Sequence, residues 1–173
     1  MHILAIETGH EPYAVRAAAE AWGMLVTLVG VGNSGQIVEY FKGRPEHDLI
    51  VISGHGDKRG LLLPKLADEI APRYPYNDVI RPEDFDQFLQ LNGNTVINLS
   101  CLGGAPPLAN TFLAHGARHY IGAVDYAEGD ATLMYALEFL YNYVQQDGNV
   151  GEAHRLASTH DDDRRHFKLY TRA

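Results

Sequence analysis

Short apolar runs rich in Val, Ile and Leu alternate along the chain with longer segments in which apolar residues recur at helical spacing. This alternation predicts an α/β fold, a three-layer sandwich in which helices cover both faces of a mostly parallel sheet of about six strands. The predicted strands cover residues 2–7, 24–30, 47–53, 93–100, 118–124 and 164–170, and the predicted helices cover 12–23, 34–43, 81–91, 106–116, 129–147 and 149–159.

The run HDLIVIS, residues 47–53, is almost continuously apolar, which predicts a central strand that is buried on both faces. It is followed by a long connection, residues 54–80, in which proline and glycine interrupt every regular pattern. Connections of this length in a compact domain are usually functional loops. We therefore expect residues 54–80 to form an irregular loop beside a functional site.

The size and charge of the chain limit the functions it can have. With 173 residues and 46% apolar residues, the chain is expected to form one domain, residues 1–173, around a single sizeable core. Its net charge is -8, and its cations are not clustered. This charge pattern argues against nucleic-acid binding and against binding to an anionic membrane, because a phosphate footprint needs clustered Lys and Arg.

Cysteine usage and hydropathy indicate a soluble protein of a reducing compartment. The N-terminus lacks the basic start of a signal peptide, and nowhere do about 18 apolar residues run together. Cys101 is the only cysteine, so no intramolecular disulfide forms, and the common zinc-binding spacings require more cysteines than the chain has. We expect a cytoplasmic protein without a metal or other cofactor.

Two predicted strands end on residues that carry reactive chemistry. The strand at 47–53 leads into Gly54-His55-Gly56, and the strand at 93–100 leads into Cys101. Ligands and catalytic groups of parallel α/β sheets gather at the carboxyl ends of the strands. If these two strands are neighbours, His55 and Cys101 leave the sheet at the same edge, one strand spacing apart.

A cysteine and a histidine in this arrangement can form a nucleophile and its base. The thiolate is the attacking species, and a histidine lowers the thiol pKa and accepts its proton. The dipole of a helix that starts at Pro106 favours the thiolate as well, and the backbone amides of Gly56 and Cys101 are candidates for an oxyanion hole. Two other interpretations stay open: Cys101 as a small buried apolar residue and His55 as an ordinary loop residue.

The histidine of LIVISGHG and the cysteine of VINLSC lie 46 positions apart. These two segments resemble the motifs of the caspase-like cysteine peptidases. This group includes caspases, legumains, gingipains, clostripain, separases and CHAT domains. The order of the elements after each motif is most similar to the CHAT and gingipain branch. The resemblance implies peptide-bond hydrolysis through a thioester, with His55 as base, Cys101 as nucleophile, and the amides of Gly56 and Cys101 in the oxyanion hole.

Four residues of the sequence bear on the substrate preference of such a site. Leu99 stands two residues before the cysteine, where several members of this group place a polar pocket residue. Glu7, Asp125 or Asp130 would be able to supply a negative wall for a Lys or Arg side chain, or each is merely solvated. The expected partners are a peptide or protein substrate and either a regulatory protein that completes the cleft or a second copy of the chain.

Two hypotheses of other classes remain beside the peptidase. The same fold is compatible with a catalytically weak or inactive regulatory domain that binds other proteins. The glycines of VGVGNSG match the dinucleotide fingerprint, with an acidic residue 22 positions after the last of them; these residues are Gly30, Gly32, Gly35 and Asp57. The segment that contains His154, His160, His166 and residues 161–163 is either a charged surface stretch or a surface metal site.

Overall fold

A computed structural model describes residues 1–172 of the chain. Its strands are β1 (His2–Ile6), β2 (Thr27–Val31), β3 (Leu49–Ser53), β4 (Gly56–Asp57), β5 (Gly60–Leu62), β6 (Val79–Ile80), β7 (Thr95–Asn98), β8 (His119–Ala123) and β9 (Phe167–Thr171). Its α-helices are α1 (Glu11–Ala21), α2 (Ser34–Lys42), α3 (Pro82–Phe85), α4 (Pro106–Ala114), α5 (Gly129–Gln145) and α6 (Val150–Ala157). Two short 3-10 helices cover Ala71–Arg73 and Arg164–His166.

Six strands form one central sheet in the order β2-β1-β3-β7-β8-β9. The first five strands in this order are parallel, and β9 pairs with β8 in the antiparallel direction. The chain moves from β1 outward to β2 and then back to β3 on the other side of β1. The strand order therefore reverses between β1 and β3, which is where open α/β sheets place their ligand sites. The predicted mostly parallel sheet of six strands is confirmed.

Alternate residues of the strands enter two hydrophobic cores, one on each face of the sheet, because strand side chains have a period of two. Ile50 and Ile52 of β3 face the core under α2, α3 and α4, whereas Leu49 and Val51 face the core under α1, α5 and α6. Both faces of β3 are buried, as the continuous apolar run predicts. The two layers of helices complete the predicted three-layer sandwich.

The long connection after β3 is more regular than the sequence indicates. Its strands β4, β5 and β6 form a separate three-stranded antiparallel sheet, so the prediction of an irregular loop was wrong for residues 56–62 and 79–80. Residues 63–78 are irregular apart from the 3-10 turn at Ala71–Arg73. The strands have only two or three residues each, too few to show a hydrophobic period, and Leu61, Val79 and Ile80 form their buried positions. This small sheet fixes the chain directly after β3, because the N–H of Leu62 donates to the carbonyl of His55 at 2.9 Å.

Several predicted elements are shorter than expected. The helix predicted over residues 81–91 is only the single turn of α3, after which the backbone continues in turns. The N–H of Leu91 donates to the carbonyl of His115, which draws the chain out of the helix toward the end of α4. The final predicted strand begins three residues late, since Arg164–His166 form a 3-10 helix before β9. No helix within residues 1–172 combines the length and the apolar character that crossing a membrane requires.

Candidate active site

His55 and Cys101 occupy equivalent positions after neighbouring strands. Strands β3 and β7 are paired in parallel with Ile52 opposite Asn98, and both His55 and Cys101 lie three residues beyond this pair. The N–H of Leu99 donates to the carbonyl of Ile52 at 2.8 Å, which extends the pairing toward the cysteine. The predicted adjacency of the two strands is therefore present, and both residues leave the sheet at its carboxyl edge.

The turn that follows His55 lies directly against the backbone of Cys101. A Cβ atom added to Gly56 would lie only 2.3 Å from the carbonyl oxygen of Cys101. Because this obstacle is backbone, no side-chain rotation would relieve the overlap. Glycine is thus required at position 56 by the close approach of the two strand ends.

The cysteine sits at the start of a tight turn. Leu102 has a left-handed backbone with φ of 56°, and the N–H of Gly103 donates to the carbonyl of Ser100 at 3.0 Å. The thiol is partly exposed, and its Sγ donates a long hydrogen bond of 3.8 Å to the carbonyl of Ala127. The N–H of Cys101 donates no hydrogen bond to any group within residues 1–172, so this donor is free.

A buried polar network holds this turn in place from beneath. The Asn98 side-chain oxygen accepts from the N–H of Ser100 at 3.0 Å and from its hydroxyl at 2.6 Å. The Asn98 amide in turn donates to the hydroxyl of Tyr120, which donates to the carbonyl of Gly103 at 2.6 Å. Burial raises the pKa of Tyr120 well above its usual range, which keeps the hydroxyl a donor. The sequence pattern did not predict this network, although an asparagine inside an apolar strand indicates a buried side chain with hydrogen-bond partners.

A cleft of about 210 Å³ opens beside Cys101 at the point where the strand order reverses. His55, Cys101 and the predicted pocket residue Leu99 all line it. Further lining residues, which the sequence did not predict, come from the β1–α1 connection, from α1, from the β8–α5 connection and from α5. Those with side chains are Thr8, Glu11, Val15, Ala127, Thr132 and Leu133.

The three acidic residues considered for a negative wall lie outside this cleft. Glu7 is exposed and lines a neighbouring pocket together with Gly30 and Gly32. Asp130 lines a separate acidic depression that also includes residues 161–163. Asp125 is exposed, and its carboxylate accepts the N–H of Tyr126. None of the three contributes to the lining beside the thiol.

The glycine-rich turn after β2 has little capacity for a phosphate. At the start of α2, the N–H of Gly32 already donates to the side chain of Gln36 at 2.7 Å, and the N–H of Gln36 donates to Asn33 at 3.2 Å. The acidic residue of the fingerprint, Asp57, lies in the β4–β5 hairpin, where it accepts from the backbone and the side chain of Arg59. Two amides of the turn and the carboxylate of the fingerprint are therefore engaged within the chain and not free for a dinucleotide.

The surface segment near the C-terminus forms ion pairs. Glu138 contacts His160 at 2.6 Å and Arg164 at 2.8 Å, and Arg164 also contacts Asp161. Within residues 1–172, no group of three or more His, Cys, Asp or Glu side chains is arranged to hold a metal ion.

Comparisons with known proteins find similarity at the level of the fold. No family model and no curated sequence matches the chain. The crystal structure of the Arg-specific cysteine proteinase gingipain R superposes with a TM-score of 0.66 at 10% identity, over 99% of this chain and 46% of that one. The complex of the RgpB pro- and mature domains from Porphyromonas gingivalis superposes with a TM-score of 0.64 at 10% identity, over 99% of this chain and 47% of that one.

This chain thus spans about half the length of the proteinase chains it resembles. At such low identity the likeness establishes how the backbone is arranged and leaves the chemistry to the residues of the cleft. The agreement covers the six-stranded, mostly parallel sheet and the helices on both of its faces. The chain therefore has the caspase-like α/β fold of the gingipain cysteine proteinases.

Proposed function

We propose that this chain is a cysteine peptidase domain that hydrolyses peptide bonds with Cys101 as nucleophile and His55 as general base. One observation carries the proposal: the two residues follow paired strands at equivalent positions and line one cleft. A cleft at the reversal of strand order is the usual ligand site of this architecture. The order of the motifs and elements favours the CHAT and gingipain branch of the group.

The reaction begins when His55 accepts the thiol proton and Sγ of Cys101 attacks the carbonyl carbon of the scissile peptide bond. A C–S bond forms, and the carbonyl oxygen becomes an oxyanion that accepts hydrogen bonds from backbone amides. The C–N bond then breaks, and the amine leaves with the proton held by His55. A water molecule gives a proton to His55 and attacks the thioester, which releases the acid product and restores the thiol.

The backbone geometry provides for the oxyanion. The N–H of Cys101 has no acceptor within residues 1–172, and the close packing of Gly56 on Cys101 brings the two strand ends together. A glycine at this place lets a substrate backbone approach without meeting a side chain. We assign the amides of Gly56 and Cys101 to the oxyanion hole.

The partners of such a domain are a peptide or protein substrate and a protein that completes or regulates the cleft, either a different chain or a second copy of this one. A thiol nucleophile suits a reducing compartment, so we place the protein in the cytoplasm. Neither assignment affects the chemistry of the dyad.

The reactivity of the thiol tests the dyad directly, because Cys101 is the only cysteine and every alkylation event reports on it. Iodoacetamide should modify the native protein at pH 6.5 much faster than it modifies the urea-unfolded chain, because only the folded chain holds His55 beside the thiol as a base. His55→Ala should lower the native rate at least about tenfold. His119→Ala is the matched control, since His119 stands at the opposite, amino end of β8.

Turnover is measured with a peptide library whose cleavage products are identified by mass spectrometry. Wild-type protein should cleave the library, and both Cys101→Ala and His55→Ala should abolish cleavage. A thiol that reacts more slowly in the folded chain than in the unfolded chain, with no cleavage of any peptide, would favour instead a catalytically inactive domain that binds other proteins.

A further inference from the structure

The side of the cleft beside Cys101 has an apolar floor. Val15 and Leu99 are its most buried apolar side chains, with 1% and 8% of their surface exposed. Leu133 and Ala127 are half-buried and continue the same surface toward the opening. An apolar side chain that entered this space would remove both its own surface and that of the floor from water, which is favourable in proportion to the area buried.

Charged groups are scarce in the lining of the cleft. Among residues 1–172, no Lys or Arg lines the cleft, and Glu11 is the only acidic side chain that does. Glu11 is exposed in the first turn of α1. Its carboxylate folds toward its own loop, since a Cβ added to Gly9 would lie 3.0 Å from its Oε2 atom. Apart from His55, Cys101 and Glu11, the polar side chains of the lining are those of Thr8, Ser53 and Thr132, which carry hydroxyl groups and no charge.

These two features determine which side chains can occupy the space. A Lys or Arg side chain beside Val15 and Leu99 would meet only hydroxyl groups unless it reached Glu11, and an Asp or Glu side chain would find no Lys or Arg. Burying a charge without a partner is costly, whereas an apolar side chain of medium size fits a cavity of about 210 Å³ without such a penalty.

We propose that this floor is the specificity pocket and that it accepts a medium-sized apolar side chain, such as Leu or Met, at the residue whose carbonyl Cys101 attacks. The inference rests on the proposed peptidase function and names the substrate class of the same site. It assigns Leu99 and Val15 to the pocket floor and gives Glu11 no part in recognising the side chain that enters.

Cleavage of a peptide series tests the pocket. The peptides are identical except for Leu, Met, Phe, Arg, Lys or Asp at the cleaved residue, and kcat/KM is measured for each. Leu and Met peptides should exceed Arg, Lys and Asp peptides by at least about tenfold, as expected for a pocket that discriminates by apolar contacts. Faster cleavage after Arg or Lys would overturn the pocket assignment and leave the peptidase function standing.

Variants distinguish the contribution of Leu99 to substrate preference from that of Glu11. Leu99→Ala should enlarge the floor and shift the preference from Leu toward Phe, whereas Leu25→Ala, at a residue that is 91% exposed and outside the cleft, should leave it unchanged. Glu11→Gln, a conservative change on the surface, should keep the order of preference. A loss of cleavage after Arg or Lys in Glu11→Gln that exceeds tenfold would show that Glu11 recognises a basic residue, and would refute the proposal.

Binding tests the same pocket without turnover. The Cys101→Ala variant is titrated with the same peptides, and dissociation constants are compared. Tighter binding of the Leu and Met peptides supports the pocket even if the wild-type protein cleaves nothing, a result that would refute the peptidase function alone. Equal binding of all the peptides, or tighter binding of the Arg and Lys peptides, would refute the pocket assignment.

Discussion

Replacing Gly56 by Ala should separate the two strand ends that form the candidate site. The new Cβ would lie 2.3 Å from the carbonyl oxygen of Cys101, whereas ordinary contacts of this kind begin at 3.4 Å. The His55–Gly56 turn and the cysteine turn must therefore move apart by about 1 Å. Overpacking of this kind usually costs about 1–3 kcal/mol of stability, and a misplacement of about 1 Å in an active site can cost about 100-fold in rate.

Urea denaturation and the rate of Cys101 alkylation at pH 6.5 measure the two effects separately. Gly56→Ala should lower the free energy of unfolding by about 1–3 kcal/mol and slow both alkylation and peptide cleavage. Gly30→Ala is the matched control, since a Cβ at Gly30 meets nothing within 4 Å. If Gly56→Ala equals this control in stability and in alkylation rate, the close approach of the strand ends has no structural consequence and the reasoning fails.

Two further predictions concern buried polar side chains away from the cleft lining. Burial, with a smaller contribution from neighbouring His47, lowers the pKa of His2 to about 4. Between pH 6.5 and 4 the His2 side chain therefore binds a proton in the unfolded chain but not in the folded chain, and His2 should contribute a loss of about 3 kcal/mol of stability as the pH falls through this window. In His2→Phe, the difference in stability between urea titrations at pH 7 and pH 4 should be smaller by this amount, and an unchanged difference would contradict the assignment. Asn98→Ala should cost about 1–3 kcal/mol of stability by leaving buried partners unsatisfied, and it should slow the alkylation of Cys101. The control Asn149→Ala removes the N-cap of α6 and should cost about 1 kcal/mol without changing the alkylation rate. Equal alkylation rates in the two variants would exclude a positioning role for Asn98.

The small sheet after β3 is an element that the hydrophobic pattern of the sequence did not predict. Strands of two or three residues show no measurable alternation, so β4, β5 and β6 looked like an irregular loop. The proline and the acidic residues at the start of the next segment predicted a helix over residues 81–91, but α3 has a single turn, and the N–H of Leu91 donates to the distant carbonyl of His115. In both segments, contacts between distant parts of the chain outweigh local preference.

The sequence by itself determined the α/β class, the buried central strand β3, and the placement of His55 and Cys101 directly after strands, because hydrophobic period and strand ends are local properties of the chain. Only the tertiary structure decided that β3 pairs with β7, that the strand order reverses beside β1, and that Glu7, Asp125 and Asp130 lie outside the cleft. Periodicity shows which face of a strand is buried, but it carries no information about which strand lies beside it. The strand pairings decide which side chains line the cleft, and those side chains decide which substrate Cys101 would attack.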